Sequence, residues 1–273
     1  MRATRKTHWP PLKAATLAIV WMTAAWSTSA SRSYGQSAPG LFTSVVNVPP
    51  MVAAQYAGNG TQLNLFAGGS LPGDFNAQLG SEINVYGGSF GSSFNAEPGS
   101  VVNLHGGALG TTFRAKLGSD VEFFGGEFML NGVPYAGNSI TLSGNDVFTG
   151  TLADGSPFIL GPQAGNIALT TSVLPPLVTT PDTLNGPLGT RPAGLRAGQS
   201  LTVGPGGLLG ENFAVVDAAL TMSGGSVGNG LRVARGTVSI SQAGAGRILI
   251  SAGGEATMGP GGHVGDFLHV YEG

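Results

Sequence analysis

Residues 81–137 read SEINVYGGSFGSSFNAEPG, SVVNLHGGALGTTFRAKLG and SDVEFFGGEFMLNGVPYAG when the chain is cut every nineteen residues. A pair of glycines stands at the same place in each segment: Gly87 and Gly88, Gly106 and Gly107, Gly125 and Gly126. A fixed period with one small structural unit per repeat is typical of stacked repeat proteins. This stretch therefore predicts a stack of coils of 18–19 residues.

Apolar and polar residues alternate within each segment. Ile83 and Val85 flank Asn84, and the next segment repeats the pattern with Val102, Asn103 and Leu104. Alternation over four or five residues indicates a short, half-buried β-strand, and the segments lack the i, i+3, i+4, i+7 spacing of a helix. Short strands separated by glycine corners describe one coil of a parallel β-solenoid. We therefore predict an all-β fold, a parallel β-helix.

Stacked coils place equivalent side chains over one another, about 4.8 Å apart. Three inward columns follow from the spacing: Ile83, Val102, Val121 and Ile140; Val85, Leu104, Phe123 and Leu142; Phe75, Phe94 and Phe113. One outward column contains Asn84, Asn103, Glu122 and Thr141. Its asparagines form either an amide ladder or a row that is merely tolerated on a solvated face.

The same spacing makes a prediction about charge. Glu97 stands nineteen residues before Lys116, which places the two side chains on adjacent coils. We expect an exposed ion pair there, worth less than about 1 kcal/mol.

Residues 1–30 have the pattern of a secretory signal peptide. Arg2, Arg5, Lys6 and Lys13 precede an apolar run of about thirteen residues, and small residues lead to Ala30. A membrane-spanning helix needs about twenty residues, so a retained anchor is the less favoured alternative. Removal of this segment, which contains no acid, takes the formal net charge from −2 to −6. Nucleic acid and anionic lipid are poor partners for such a chain, and we predict that it is secreted, with no membrane span after cleavage.

The remaining chain divides by changes in the repeat. We predict a lead-in over residues 31–55, a first solenoid stretch over 56–148, a hairpin and proline-rich insertion over 149–198, and a second stretch over 199–273. Tyr56 marks the first boundary because it stands nineteen residues before Phe75. In the second stretch, spacing suggests a column of Phe213, Leu231, Leu249 and Phe267.

The arrangement of the two stretches is open at this stage. They form either one rod of about eight or nine coils or two rods joined by the proline-rich segment. The last coil is incomplete in the sequence. An open coil exposes an unpaired strand edge, so we expect continuation in a longer chain, self-association or a covering partner.

The repeat unit SVVNLHGGALGTTFRAKLG resembles the repeats of large exported bacterial β-helix proteins, namely filamentous-haemagglutinin-type adhesins and autotransporter passenger domains. The resemblance covers roughly residues 56–148 and 199–273. It implies a right-handed parallel β-helix at the cell surface, with a role in adhesion or as an extracellular scaffold. Surface glycans or other extracellular proteins would then be its partners.

No catalytic, cofactor-binding or metal-binding motif stands out in the sequence. The fourteen acids are scattered along the chain. The densest charged cluster contains Arg114, Lys116, Asp120 and Glu122, and we interpret it as a solvated patch. We interpret Arg232, Arg235 and Arg247 in the same way. The chain has no cysteine, and His105, His263 and His269 share no metal-ligand spacing. We expect a non-enzymatic protein with a structural or adhesive role. The alternative is a carbohydrate-active β-helix that binds a polysaccharide or cleaves it as a lyase or a hydrolase. Hydrolysis would need two carboxylates within about 5 to 10 Å of each other.

Overall fold

The structure is a computed structural model that describes residues 42–162, 165–178, 182–189 and 192–270. The predicted signal peptide and residues 31–41 of the predicted lead-in lie outside these ranges. Within them the protein is all-β without a helix, and stacked parallel strands form a β-solenoid of about twelve turns. The predicted fold class is therefore confirmed, with more turns than the spacing suggested.

The strands divide into two stacks. Residues of the first stack and of the hairpin that follows it form β1 (Ser44–Val48), β2 (Tyr56–Ala57), β3 (Thr61–Leu65), β4 (Phe75–Ala77), β5 (Glu82–Ser89), β6 (Ser93–Ala96), β7 (Val101–Ala108), β8 (Thr112–Ala115), β9 (Asp120–Leu130), β10 (Val133–Pro134), β11 (Ser139–Thr141), β12 (Phe148–Leu152), β13 (Pro157–Leu160) and β14 (Asn166–Thr171). The second stack contains β15 (Asp182–Leu184), β16 (Gly194–Leu195), β17 (Ser200–Val203), β18 (Leu208–Leu209), β19 (Ala214–Val216), β20 (Ala219–Met222), β21 (Ser226–Val227), β22 (Leu231–Ala234), β23 (Thr237–Ile240), β24 (Gly244–Ser251), β25 (Glu255–Met258) and β26 (His263–Val270).

The first stack has two sheets that face each other across an apolar core. Parallel pairing runs β1, β3, β5, β7, β9 in one sheet and β2, β4, β6, β8 in the other. Phe75, Phe94 and Phe113 stand in register, and their rings stack with centroids 5.6 and 5.2 Å apart. Ile83 pairs with Val102, which pairs with Val121, and all three are buried. These columns form the core because each coil buries its inner face only against its neighbours.

The glycine pairs do not end the strands. β5 and β7 run through them, and the chain bends there because Gly88 and Gly107 have positive φ. A Cβ atom at Gly88 would lie 2.5 Å from the carbonyl oxygen of Gly69, so the coils also stack too closely for a side chain. Gly126 lies outside the positive-φ region, and in β9, which continues to Leu130, it is Glu127 that has positive φ.

Two of the predicted columns end one coil early. The strand that stacks on β9 is β14, which places Leu169 over Phe123, where Leu142 was expected. Ile140 pairs instead with Ile167 in the antiparallel contact of β11 with β14. The cause is the hairpin of β12 and β13, because β12 pairs with the second half of β9 and diverts the chain from the next coil.

The boundaries of the stacks also differ from those predicted. β1 already pairs in parallel with β3, so the first stack includes Ser44 rather than beginning near Tyr56. Tyr56 lies beside Asn76 and outside the phenylalanine column, because the offset between these coils is twenty residues. The second stack includes β15 and therefore begins at Asp182 rather than near residue 199.

One column of the second stack is shifted by one residue. Leu231 pairs with Ile248 rather than with Leu249, and Ile248 pairs with Leu268. The inward column therefore continues through Ile248, which is fully buried, while Leu249 faces outward and is half-buried. A coil of seventeen residues in place of eighteen between these two strands accounts for the shift.

The two stacks lie side by side rather than end to end. Asn212 Nδ2 donates to the carbonyl of Phe90 at 2.8 Å, and Arg232 Nη1 donates to that of Gly110 at 3.1 Å. Both contacts span 122 residues, so successive coils of one stack face successive coils of the other. Each stack has its own core. The two-rod alternative therefore describes the structure.

The hairpin of β12 and β13 lies between the stacks. The strands pair in antiparallel fashion, as the sequence predicted. Val147 and Ile159 pack against Ala214, Val216 and Ala234, which are small side chains on the outer face of the second stack. We call this contact region, together with the two hydrogen bonds described above, the seam.

Candidate functional site

The predicted ion pair between coils is present. Lys116 Nζ lies 2.6 Å from Glu97 Oε1, and the two side chains are 47% and 27% exposed. Because both side chains are exposed, water and salt screen the electrostatic attraction, and the pair contributes less than about 1 kcal/mol to stability. It marks the register of the coils and carries no chemistry.

An amide ladder runs along the outer face of the first sheet. Asn64 donates to Asn47 at 2.9 Å, Asn84 donates to Asn64 at 3.2 Å, and Asn103 donates to Asn84 at 2.9 Å. The ladder interpretation is therefore confirmed over four coils, beginning earlier than the sequence indicated. The inner amides, those of Asn64 and Asn84, both donate and accept, which satisfies polar groups on a tightly stacked face.

An aromatic ladder lies at the position just before the glycine corner. The rings of Phe66, Tyr86, His105 and Phe124 stack in succession, with centroids 5.5, 5.2 and 4.1 Å apart. Sequence reasoning missed this column because its members differ in chemical type. The spacing of nineteen or twenty residues was the available signal. The ring faces are covered by one another, so the ladder presents ring edges and is not a stacking platform for a ligand.

Burial lowers the pKa of the His105 imidazole, and the nearby Glu122 carboxylate opposes this shift. The ring therefore favours its neutral form between its aromatic neighbours. Glu122 accepts a hydrogen bond from Thr170 of the next coil, and not from Thr141, which bonds to Asn166. The outward column thus continues through β14, as the inward columns do.

The charged group around Arg114 and Asp120 lies on the outer face of the first stack, and both side chains are exposed. Partial burial and the neighbouring Glu122 raise the pKa of Asp120. Neither Arg114 nor Asp120 lines the two clefts described below. This arrangement agrees with a solvated patch.

Arg232 and Arg235 of the second stack do not lie in a solvated patch, contrary to the prediction. Arg232 is 8% exposed and reaches the first stack through Gly110. Arg235 forms two hydrogen bonds with Asp217, at 2.9 and 2.7 Å, and another with Thr149 at 3.0 Å. These side chains fasten the second stack to the hairpin and the first stack. This role is not predictable from the local sequence, because the partners are 86 to 122 residues away.

A cleft of about 350 Å³ lies between the glycine corners of the first stack and connecting segments of the second stack. We call it the glycine cleft. Residues 67–70, 86–89 and 107–108 form one side, and residues 188–189, 192–193 and 210–211 form the other. The turn of the hairpin, with Asp154 and Ser156, closes one end.

Both oxygens of the Asp154 carboxylate accept hydrogen bonds from the protein itself. Its Oδ2 accepts from the amide of Gly107 at 2.9 Å and from Ser156 Oγ at 2.9 Å, and its Oδ1 accepts from the amide of Ser156 at 2.8 Å. Ser156 Oγ accepts in turn from the amide of Ala193 at 3.0 Å. Burial raises the pKa of Asp154, and these hydrogen bonds oppose the shift. Asp154 and Ser156 of the hairpin turn therefore bond to Gly107 of the first stack and to Ala193 of the second stack.

The glycine cleft has a second carboxylate, Glu211, on its far side. Two acids on one cleft are the minimum that glycoside hydrolysis requires. Asp154, however, directs both of its oxygens to amides and a hydroxyl of the protein itself. Its geometry is that of a structural group.

A second cavity, also of about 350 Å³, lies in the seam and is called the seam pocket. It is lined by residues 111–113 of the first stack, residues 145–147 and 159–162 around the hairpin, and Arg232, Leu249 and Ser251 of the second stack. Its walls are mainly apolar, with a few hydroxyl and charged groups. Ligand pockets of proteins have this composition and volumes of about 300 to 1,000 Å³.

Asp146 lines the seam pocket and organises the loop beside it. Its carboxylate accepts from Asn131 Nδ2 at 2.9 Å and from the amide and hydroxyl of Ser143 at 3.0 and 3.3 Å. These bonds, above all the one from Asn131, lower the pKa of Asp146. Asn131 Oδ1 accepts from the amide of Val147, which ties the loop to the hairpin.

In the described ranges, no three His, Asp or Glu side chains stand together as metal ligands. The same part of the chain has no helix with the length and apolar character needed to cross a bilayer. Comparisons of the sequence and structure with protein-family models, curated proteins and solved structures found no match.

Proposed function

We propose that the protein is an exported, non-enzymatic β-solenoid with a structural or adhesive role at the cell surface. The observation that supports this proposal most strongly is that the outward side chains of the first stack contact one another from coil to coil. Outward columns consist of an amide ladder and an aromatic ladder, whose members contact the next coil. A sequence organised in this way favours a rigid, extended surface over a catalytic centre.

Export rests on the signal-peptide pattern of residues 1–30. The sequence has no cysteine, so the fold is held by its strand ladders and core columns without disulfides. The partners that we propose are surface glycans or other extracellular proteins, and neither nucleic acid nor lipid is among them. The resemblance to adhesin and passenger-domain repeats supports the same assignment.

Surface exposure is tested directly on the native cells. Intact cells are treated with a membrane-impermeant lysine reagent, which has Lys116 as a target, and the protein is then recovered from surface, periplasmic and cytoplasmic fractions. We expect labelling on intact cells or in the medium. Recovery from the cytoplasmic fraction alone, unlabelled until lysis, would overturn the proposal.

The second candidate is a carbohydrate-active protein, and the two carboxylates of the glycine cleft are the observation that favours it. A panel of neutral and acidic polysaccharides, assayed for new reducing ends and for unsaturated products, decides between the two. The proposed role predicts no turnover. Turnover that is lost in both Asp154→Asn and Glu211→Gln, with the fold retained, would establish the enzyme instead.

A further inference from the structure

One edge of the ten-stranded sheet is unpaired in the described part of the chain. There β1 pairs with β3 and with no other strand. The carbonyl of Val48 accepts from the amide of Phe66, and bonding residues alternate along a parallel strand. The amide and carbonyl of Val45 and the amide of Asn47 therefore point away from β3. A strand edge of this kind is a template for pairing with another strand.

The edge of β1 lies at an apolar end of the first stack. The shift of 122 residues that relates the two stacks puts β15 level with β3, so the second stack starts one coil after β1 and does not cover its edge. Four large apolar side chains are exposed at this end: Val45, Met51, Val52 and Tyr56. Clustered exposure of this kind marks a surface for association.

The charge of this end favours a second copy of the chain as the occupant. Residues 42–73 contain no charged side chain, so two identical surfaces meet without like-charge repulsion. Proteins that keep an edge strand single protect it with charged side chains, prolines or bulges. None of these lies within β1, because Pro49 and Pro50 stand after its last residue.

We propose that two copies of the chain associate through β1, whose edges pair in antiparallel fashion about a two-fold axis at Val45. Each Val45 amide then donates to the Val45 carbonyl of the other copy, as in the hydrogen-bonded pairs of an antiparallel ladder. The two Val45 side chains cover each other on the outer face, where each is 51% exposed in a single chain. The interface is isologous, and the sheets of the two first stacks become continuous.

The amide ladder supports this register. Every asparagine of the ladder donates towards the start of the chain, and Asn47 at its end accepts from Asn64. The Nδ2 group of Asn47 is therefore the last donor of the ladder. With Val45 on the axis, Asn47 lies opposite Thr43 of the second copy. Thr43 Oγ1 donates to the carbonyl of Gly60, which leaves its lone pairs able to accept from Asn47.

Sedimentation-velocity ultracentrifugation of the full chain tests the oligomeric state. We expect twice the mass of one chain at micromolar concentrations. Val45→Lys puts like charges opposite each other on the axis and should raise the dissociation constant of the dimer at least about 10-fold. Val173→Lys is the matched control, since Val173 is an exposed valine outside the strands, and it should leave the dimer unchanged.

Crosslinking locates the interface. The sequence has no cysteine, so Val45→Cys introduces the only thiol of the chain. A short bis-maleimide should join two Val45→Cys chains into a covalent dimer, and it should not join two Val173→Cys chains. Circular dichroism establishes that each variant is folded, and if Val45→Lys does not fold, the crosslinking carries the test.

The inference goes beyond the proposed function, because association through β1 requires neither export nor a surface ligand. A chain that stays monomeric at high micromolar concentration would overturn it and would point to an edge covered within one chain, with residues 31–41 as the nearest candidate. A dimer that resists Val45→Lys, or that Val45→Cys does not crosslink, would place the contact on another surface and would overturn the proposal as well.

Discussion

At the scale of single residues, Asp154 illustrates how a buried acid serves this fold. Three donors from Gly107 and Ser156 converge on its two oxygens. An amide in place of the carboxylate keeps the volume but turns one acceptor into a donor. One of the donors at Oδ2 would then face an NH₂ group, and a buried donor without an acceptor costs about 1 to 3 kcal/mol.

We therefore expect Asp154→Asn to lower the free energy of unfolding in urea by about 1 to 3 kcal/mol at neutral pH. Asp74→Asn is the control, because Asp74 is exposed and has positive φ, which asparagine also tolerates. The control should change stability by less than about 0.5 kcal/mol. Equal effects of the two substitutions would show that the hydrogen bonds of Asp154 contribute nothing.

His105 predicts a dependence of stability on pH. Because burial holds its folded pKa below the ordinary value, folding favours the neutral ring. The stabilising contribution is therefore fully present above the unfolded pKa, near 6.5, and is lost as the pH falls below that value. Asp120 and Asp154 have raised pKa values, so their contributions change in the opposite direction with falling pH.

His105→Phe separates these effects, because it keeps the aromatic ladder and removes only the imidazole. Urea unfolding between about pH 7.5 and 5.5 should show that the wild-type protein loses more stability than the variant on acidification. The carboxylates are common to both proteins and cancel in the difference. Parallel pH profiles for the two proteins would rule out the assigned role of His105.

At the scale of coils, two corners with the same local sequence are built differently. Leu109-Gly110 and Leu209-Gly210 occupy the same place in the repeat frame of their stacks. A Cβ atom at Gly110 would lie 1.9 Å from the carbonyl oxygen of Gly91, whereas nothing lies within 4 Å of one at Gly210. The sequence alone does not distinguish these two glycines.

Gly110→Ala is therefore expected to destabilise the protein by about 3 kcal/mol or more, because backbone atoms of adjacent coils must separate. Gly210→Ala should be neutral or stabilising by up to about 1 kcal/mol, because alanine reduces the freedom of the unfolded chain. Thermal or urea unfolding of the two variants side by side measures the contrast. Similar losses in both would contradict the coil spacing described for the first stack.

The same scale shows what the sequence could predict and where it failed. Phe94 and Val102 were placed correctly because the nineteen-residue spacing holds wherever parallel strands stack directly. Ile140 was misplaced because alternating apolar residues fit an antiparallel strand as well as a parallel one. The second-stack column was misplaced at Leu249 because one shortened coil shifts the inward face by a residue.

At the scale of the whole molecule, the sequence left the relation of the two stacks open for a physical reason. The seam depends on Asn212 and Arg232, which bond to backbone carbonyls of Phe90 and Gly110. Any residue supplies a carbonyl, so the partners leave no mark in the sequence. The small side chains at the seam, such as Ala214 and Ala234, also resemble ordinary residues of an outer face.

Separate cores joined by a narrow seam lead to a prediction about cooperativity. Each stack buries its own apolar columns, and the two are joined by a small cluster around Val147 and Ile159. Ala193 also bonds to Ser156 and Arg196 to Glu127. Three further side chains, Asn212, Arg232 and Arg235, bond to the first stack or the hairpin. Each buried bond is worth about 1 to 3 kcal/mol, which is enough to couple the two stacks. We expect the wild-type protein to unfold in a single calorimetric transition.

The triple variant Asn212→Gly, Arg232→Met and Arg235→Met removes these bonds while it leaves both cores intact. Glycine at position 212 retains the positive φ found there. Differential scanning calorimetry should then resolve two transitions, one for each stack, because repeat stacks unfold as units once their coupling is weak. A control with Lys116→Met, Arg114→Met and Asn95→Ala changes the outer face of the first stack alone and should keep a single transition. If the seam variant also unfolds in one transition, the bonds of these three side chains are secondary, and the stacks are coupled by the apolar contacts of the hairpin and by the contacts of Arg196 with Glu127 and of Ser156 with Ala193.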